Sequence, residues 1–334
     1  MSRERDLAGR VLGAVVRMMP PDRSPWGRAM HAELAAIGPV RERLAFVAGC
    51  ARVVAGQPAA YGKAGHVLVV AAALVGVGVK AATIAYIPLR AAAIAMVCVL
   101  ALVSWLGRRR GALGPVGRSR SARLTRAAGY AMVAAMASEL LANLGANPDQ
   151  APDAARAALP VTVVLATFLV GFLALTAQRT AATARVLIAG GGAGVGAALV
   201  WGLAVVALGP IPTRIVWAVL AVWGGMLAAA LINTGRREGA ANGVLAALCA
   251  GVVGTVSIVE LVVALSVLGP PSLIPDLAPR ALSAAADLAQ SRNEIQDPYV
   301  VFAFIGFLLA AVMTVVALGA REHKPVTEPG PPRS

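Results

Sequence analysis

From about residue 64 onward the chain is a succession of continuously apolar runs, each about twenty residues long and parted by short polar turns. That is the length a helix needs to cross a hydrocarbon core of ~30 Å. Residues 1–63 instead mix apolar and charged positions at helical spacing. Leu7, Val11, Leu12, Val15 and Met19 recur on one side of a first helix, which Pro20-Pro21 stops. Asp22 or Ser24 caps a second helix carrying Trp26, Met30 and Leu34. A third runs from about Pro39 to Val54, with Leu44, Phe46, Val47, Cys50 and Val54 as its apolar side. This pattern predicts a small amphipathic helical domain, cytoplasmic and lying on the membrane surface or binding a protein partner through Trp26 and Phe46.

The apolar runs predict an all-α, polytopic transmembrane bundle of about eight spans: 67–88, 91–107, 127–146, 157–177, 186–209, 215–232, 240–269 and 299–320. Transmembrane β-barrels are excluded, because their strands alternate in polarity over ~10 residues. Asn147-Pro148 breaks the third span, and an acidic loop with Asp149 and Asp153 leads to the fourth. Asp297-Pro298 predicts a helix start, with Asp as N-cap and Pro at the first helical position. A short helix from about 279 to 294 precedes it, and the charged, proline-containing tail 321–334 reads as disordered. Three segments follow: 1–63, 64–320 and 321–334.

Composition agrees: 58% of residues are hydrophobic and the mean hydropathy is +0.75. The formal net charge of +14 comes mostly from basic residues flanking the apolar runs, a topology signal rather than a nucleic-acid-binding one. With both termini cytoplasmic, about 24 Lys and Arg fall inside and about 5 outside, Lys80 completing the 30. A competing map ends the first span at Val79, leaves Lys80 in a loop and places Arg90 inside the second. Cys50, Cys98 and Cys249 do not form a disulfide framework, and His31, His66 and His323 have no ligand spacing, so neither a metal nor a cofactor is expected. The basic amino terminus is interrupted by Arg17 and Pro20-Pro21 and reads as part of the mature protein.

Three ionisable residues fall inside apolar runs: Lys80, Glu139 and Glu260. Pro88, Pro148, Pro210 and Pro270 mark four outer turns about 60 residues apart, a spacing compatible with repeated helical hairpins or simply with two spans plus two loops. Each of the three charges lies roughly 12–15 Å below its proline at ~1.5 Å rise per residue, so they are expected in one polar layer, with Trp201-Gly202 at the same level. Such a layer either binds a small-molecule or ion ligand on a transport path or forms an ion pair holding the bundle together. The run Gly190-Gly-Gly-Ala-Gly194-Val-Gly196 suggests a loose dinucleotide motif. It lacks the acidic residue that would hold a ribose, and two GxxxG pairs, Gly190 with Gly194 and Gly192 with Gly196, predict close helix packing instead.

No Walker loop, HExxH or GxSxG occurs, so no catalytic residue is assigned and an enzyme is not expected. Two stretches, Pro21-Asp-Arg-Ser-Pro-Trp-Gly-Arg-Ala-Met-His-Ala-Glu-Leu34 with Arg43-Leu-Ala-Phe-Val-Ala-Gly-Cys-Ala-Arg-Val53, and Ala289-Gln-Ser-Arg-Asn-Glu-Ile-Gln-Asp-Pro-Tyr299, resemble uncharacterised multi-pass membrane proteins of high-GC Gram-positive (actinobacterial) bacteria. That resemblance implies a bacterial plasma-membrane setting and no particular activity. Two functions stay open: a small transporter, or a non-enzymatic sensor, regulator or assembly partner working through the amino-terminal helices.

Overall fold

A computed structural model describes residues 2–17, 19, 24–55, 71–72, 75–79, 81–109, 111–117, 119–146, 151–178, 180, 182–208, 214–234, 240–274 and 283–320. Among them the protein is helical, with one isolated β-bridge between Val116 and Ala177. The chain divides into two compact units, Met1–Gly76 and Val77–Ser334.

The first unit holds α1 (Ser2–Arg17), α2 (Ser24–Ala36) and α3 (Val40–Ala55). Their apolar stripes close on Ala8, Leu12, Leu34, Val47 and Cys50, with Met30 and Phe46 packed against them. Helix α2 ends where Arg43 donates from one guanidinium nitrogen to the carbonyls of Leu34 (2.7 Å) and Ile37 (2.9 Å). Burial, and secondarily the charge of Glu33, pushes the Cys50 thiol up from its ordinary range.

The second unit contains α4 (Ile87–Leu106), α5 (Arg120–Ala146), α6 (Ala151–Leu175), α7 (Ala184–Leu208), α8 (Arg214–Thr234), α9 (Ala240–Leu268), a 3-10 turn at Pro271–Leu273, α10 (Ala284–Glu294) and α11 (Asp297–Gly319). Among the described residues, six stretches are long and apolar enough to cross a membrane: Ile87–Leu106, Ala151–Leu175, Ala184–Ala207, Ile215–Thr234, Ala240–Ser266 and Ala285–Gly319. They fall on six of the eight expected spans. Of the other two, 67–88 is helical at 71–72, 75–79 and 81–82 and leaves the helix at 83–86, with 67–70, 73–74 and Lys80 outside the described residues, and 127–146 lies within the 27-residue α5, which carries Arg120, Arg123, Arg126 and Glu139.

Several boundaries move. Pro88 does not close a helix; it stands at the start of α4, where its missing N–H costs nothing. Arg90 consequently lies in the first turn of α4 and donates back to the Ile84 carbonyl (2.6 Å). Helix α6 begins at Ala151, so Asp153 is helical and pairs with Arg156 at 3.1 Å. Gln296, rather than Asp297, is the N-cap of α11, and Asp297 becomes an acidic first-turn residue favoured by the helix dipole.

Helix α9 is the core of this unit. It packs against α7, α8 and α11, and 67% of its apolar stretch is buried, compared with 17% for α8. A helix apolar on all sides belongs inside a bundle. Small residues let its neighbours come close: a Cβ on Gly190 would lie 2.7 Å from that of Cys249, and one on Gly194 2.7 Å from the Ala250 carbonyl oxygen. Gly192 and Gly196 meet nothing within 4 Å, so the second expected GxxxG pair makes no such approach. The two pairs sit two residues apart, about 200° around the helix, and only one can face α9.

At the opposite side of the bundle, Arg126 ties four segments together. Its side chain is 8% exposed. Nε donates to Thr176 Oγ1 (2.8 Å), one terminal nitrogen to the carbonyls of Gly107 (3.2 Å) and Gly114 (2.9 Å), and the other to that of Leu173 (2.9 Å). These acceptors are the ends of α4 and α6 and the loop after α4. Similar caps recur: Arg185 on Ile232 at the end of α8 (3.0 Å), and Arg292 on Ser266 (2.5 Å) and Gly269 (2.7 Å) at the end of α9.

Replacing Arg126 by Met leaves these buried carbonyls without their donor and is expected to cost about 2–4 kcal/mol, with Arg126→Lys restoring only part because one ammonium cannot span the fork. Thermal unfolding in detergent checks this. Gly194→Val is expected to lower stability by about 1–3 kcal/mol through overpacking against α9, while Gly192→Val stays near wild type; the same melts compare the two.

Candidate functional site

Helices α5 and α9 run from the same end of the bundle, each following a helix of opposite direction, and they touch. That contact brings Glu139 and Glu260 together. The Glu260 carboxyl lies close enough to Glu139 for their charges to act on each other, and it also faces the main chain at Met136, one turn earlier on α5. Both side chains are half-buried, and Glu260 Oε1 is buried with no hydrogen-bond partner among the described residues.

Among those residues no ion pair joins either glutamate to a cation. Lys80, the third expected member of the layer, lies outside the described residues. The expected level of Trp201-Gly202 is informative: a Cβ on Gly202 would come 3.0 Å from Leu261, the neighbour of Glu260. Trp201 is buried and packs edge-on against Tyr299 of α11, ring centroids 5.7 Å apart.

Helices α7 and α8 border an open groove of about 460 Å³, lined on one side by Ala193, Gly196, Ala197 and Trp201 and on the other by Trp217 and Gly224; neither glutamate is among its lining residues. Gly196, expected to pack against a helix, opens onto this groove instead. The lining offers no charged group. Among the described residues no set of three His, Cys, Asp or Glu comes together to hold a metal. In the first unit, Trp26 is 56% exposed on α2, whereas Phe46 packs against the core of that unit. These two candidate partner-binding residues thus differ in availability.

Sequence reasoning missed Arg126, reading it as the end of a basic loop. A signal was present, since Ala122, Arg126, Gly129 and Val133 recur at i, i+4, i+7 and i+11 and share one stripe of α5. Comparison with protein-family models, curated proteins and solved structures finds no match for the chain.

Two carboxylates within electrostatic reach of each other in apolar surroundings repel, and a proton or another positive charge nearby relieves that repulsion. If they stand without a cation, Glu260→Gln removes repulsion and desolvation together and is expected to leave stability equal to wild type or raise it by about 1 kcal/mol. A loss of about 3 kcal/mol or more on thermal unfolding is the signature of a broken ion pair instead.

Proposed function

We propose that this multi-pass helical protein resides in a bacterial plasma membrane with both termini cytoplasmic, and that the Glu139–Glu260 pair carries a proton or small cation through the bundle. The observation that supports transport is the buried Oε1 of Glu260, unpartnered among the described residues, with Glu139 within electrostatic reach. Ionisable groups inside a membrane are retained at a cost, and a pair of acids without a bonded base suits a site that takes up and releases positive charge. The asymmetry of basic residues supports the orientation, and the two family-like stretches support the bacterial setting. Lys80 is assigned to the same path as the charge that returns the pair to neutrality after release.

A second reading is favoured by the exposed Trp26. In it, the amino-terminal helices bind a cytoplasmic protein and the chain acts as a sensor, regulator or assembly partner, with the glutamates only joining helices.

Reconstitution into liposomes distinguishes the two. With an imposed potassium or sodium gradient and an internal pH-sensitive dye, wild type is expected to move protons, and Glu139→Gln and Glu260→Gln each to reduce the rate at least about tenfold. Deletion of residues 1–62 is expected to leave that flux intact. Unchanged flux in both glutamine variants removes the transport reading.

A further inference from the structure

The connection between α4 and α5 carries chemistry that the carboxylate pair does not use. Between Gly107 and Arg126 stand seven arginines, at 108, 109, 110, 118, 120, 123 and 126, and no Asp or Glu occurs anywhere between Glu42 and Glu139. An acid-free run of this kind has no internal counter-charge.

The loop is nevertheless ordered. Its carbonyls at Gly107 and Gly114 are held by Arg126, and its far end is tied to the segment after α6, with Gly117 N–H donating to Thr176 (3.0 Å) and Gln178 N–H to Pro115 (2.9 Å). Helix α5 then starts with Ser119 as cap, its Oγ accepting from Ala122 N–H at 3.1 Å. Arg126 thus supplies the scaffold while Arg108, Arg109, Arg120 and Arg123 remain exposed.

Two contacts place Arg108 and Arg109 at the junction of α4 and α5, and Arg120 and Arg123 stand one turn apart in the first turns of α5. The guanidinium of Arg109 sits 3.5 Å over the ring of Trp105, itself exposed in the last turn of α4. Arg108 lies close enough to Tyr130 to act on it electrostatically, and the Tyr130 hydroxyl reaches the Ser104 carbonyl at 3.5 Å. Arg123 is two turns before Tyr130 on the same face of α5, so Arg108 and Arg123 flank one edge of the α4–α5 junction. A tryptophan at the end of an apolar span marks the level of the headgroups.

We propose that this junction seats the phosphate headgroup of an anionic phospholipid, with Arg108, Arg109, Arg120 and Arg123 as its donors and Trp105 against the upper acyl region. Guanidinium groups bind phosphate oxygens in pairs of parallel hydrogen bonds, and a prearranged loop loses little freedom on binding. The position at the end of a membrane span selects a lipid over a soluble anion, because only a lipid presents its phosphate at that depth beside an acyl chain.

The test uses the full chain in nanodiscs. Wild type is expected to melt at least about 5 °C higher with phosphatidylglycerol mixed into phosphatidylcholine than in phosphatidylcholine alone. The variant Arg108→Gln/Arg109→Gln/Arg120→Gln/Arg123→Gln is expected to lose most of that rise. Arg236→Gln/Arg237→Gln, altering the basic pair between α8 and α9, should keep it. Should the fourfold variant fail to fold, Arg109→Gln/Arg120→Gln is compared instead, together with native mass spectrometry of detergent-purified wild type, where retained anionic lipid is expected. An equal rise in all variants, an equal loss in the Arg236/Arg237 control, or the same stabilisation from millimolar inorganic phosphate overturns the proposal.

Discussion

The free carbonyls at helix C-termini are the constraint on which the second unit depends. A helix leaves its last four C=O groups without partners, and where neighbouring helices exclude water each such group is costly. The basic residues of this chain answer that need directly. Arg126 reaches the ends of α4 and α6 at once and holds the loop between α4 and α5, so three helices and a turn meet at one guanidinium. Arg185 and Arg292 do the same at single helix ends. A cation there also opposes the negative end of the helix dipole.

With the ends fixed, the middle of the bundle is free to be held by close approach alone. In lipid the hydrophobic effect does not pull helices together, so contact distance decides. Gly190 and Gly194 bring α7 onto α9, and Gly225, whose Cβ would lie 3.0 Å from the Ala193 carbonyl oxygen, brings α8 onto α7. The three helices form one tight group around α9. Large side chains such as Leu199, Leu203 and Trp223 are left on the outside, where they match hydrocarbon.

Helix content and most element positions could be read from the apolar runs, because length and hydropathy are local properties. Boundaries at prolines could not. Pro88 and Pro270 look alike in sequence, yet the first opens α4 and the second follows α9, because a proline is tolerated equally in a first helical turn and beyond a helix end. Which glycine pair faces α9 was likewise hidden, since Gly190-Gly194 and Gly192-Gly196 are equivalent until a partner helix is placed. Depth was more legible. Counting back from Pro148 and Pro270 put Glu139 and Glu260 at one level, and α5 and α9 bring them within electrostatic reach.

The contrast between the buried Arg126 and the half-buried Glu260 is the strongest argument for the proposed role of the latter. The chain places Arg126 where every terminal nitrogen finds a carbonyl, so it has the means to satisfy a buried charge. At Glu260, among the described residues, it does not do so: one oxygen is buried without a donor, and a second acid, Glu139, lies within electrostatic reach. An unsatisfied buried acceptor costs about 1–3 kcal/mol, and replacement by Leu or Val, residues already abundant in α9, would remove that cost. On the proposed function, a group is kept at such a position for the charge it exchanges, not for the helices it joins.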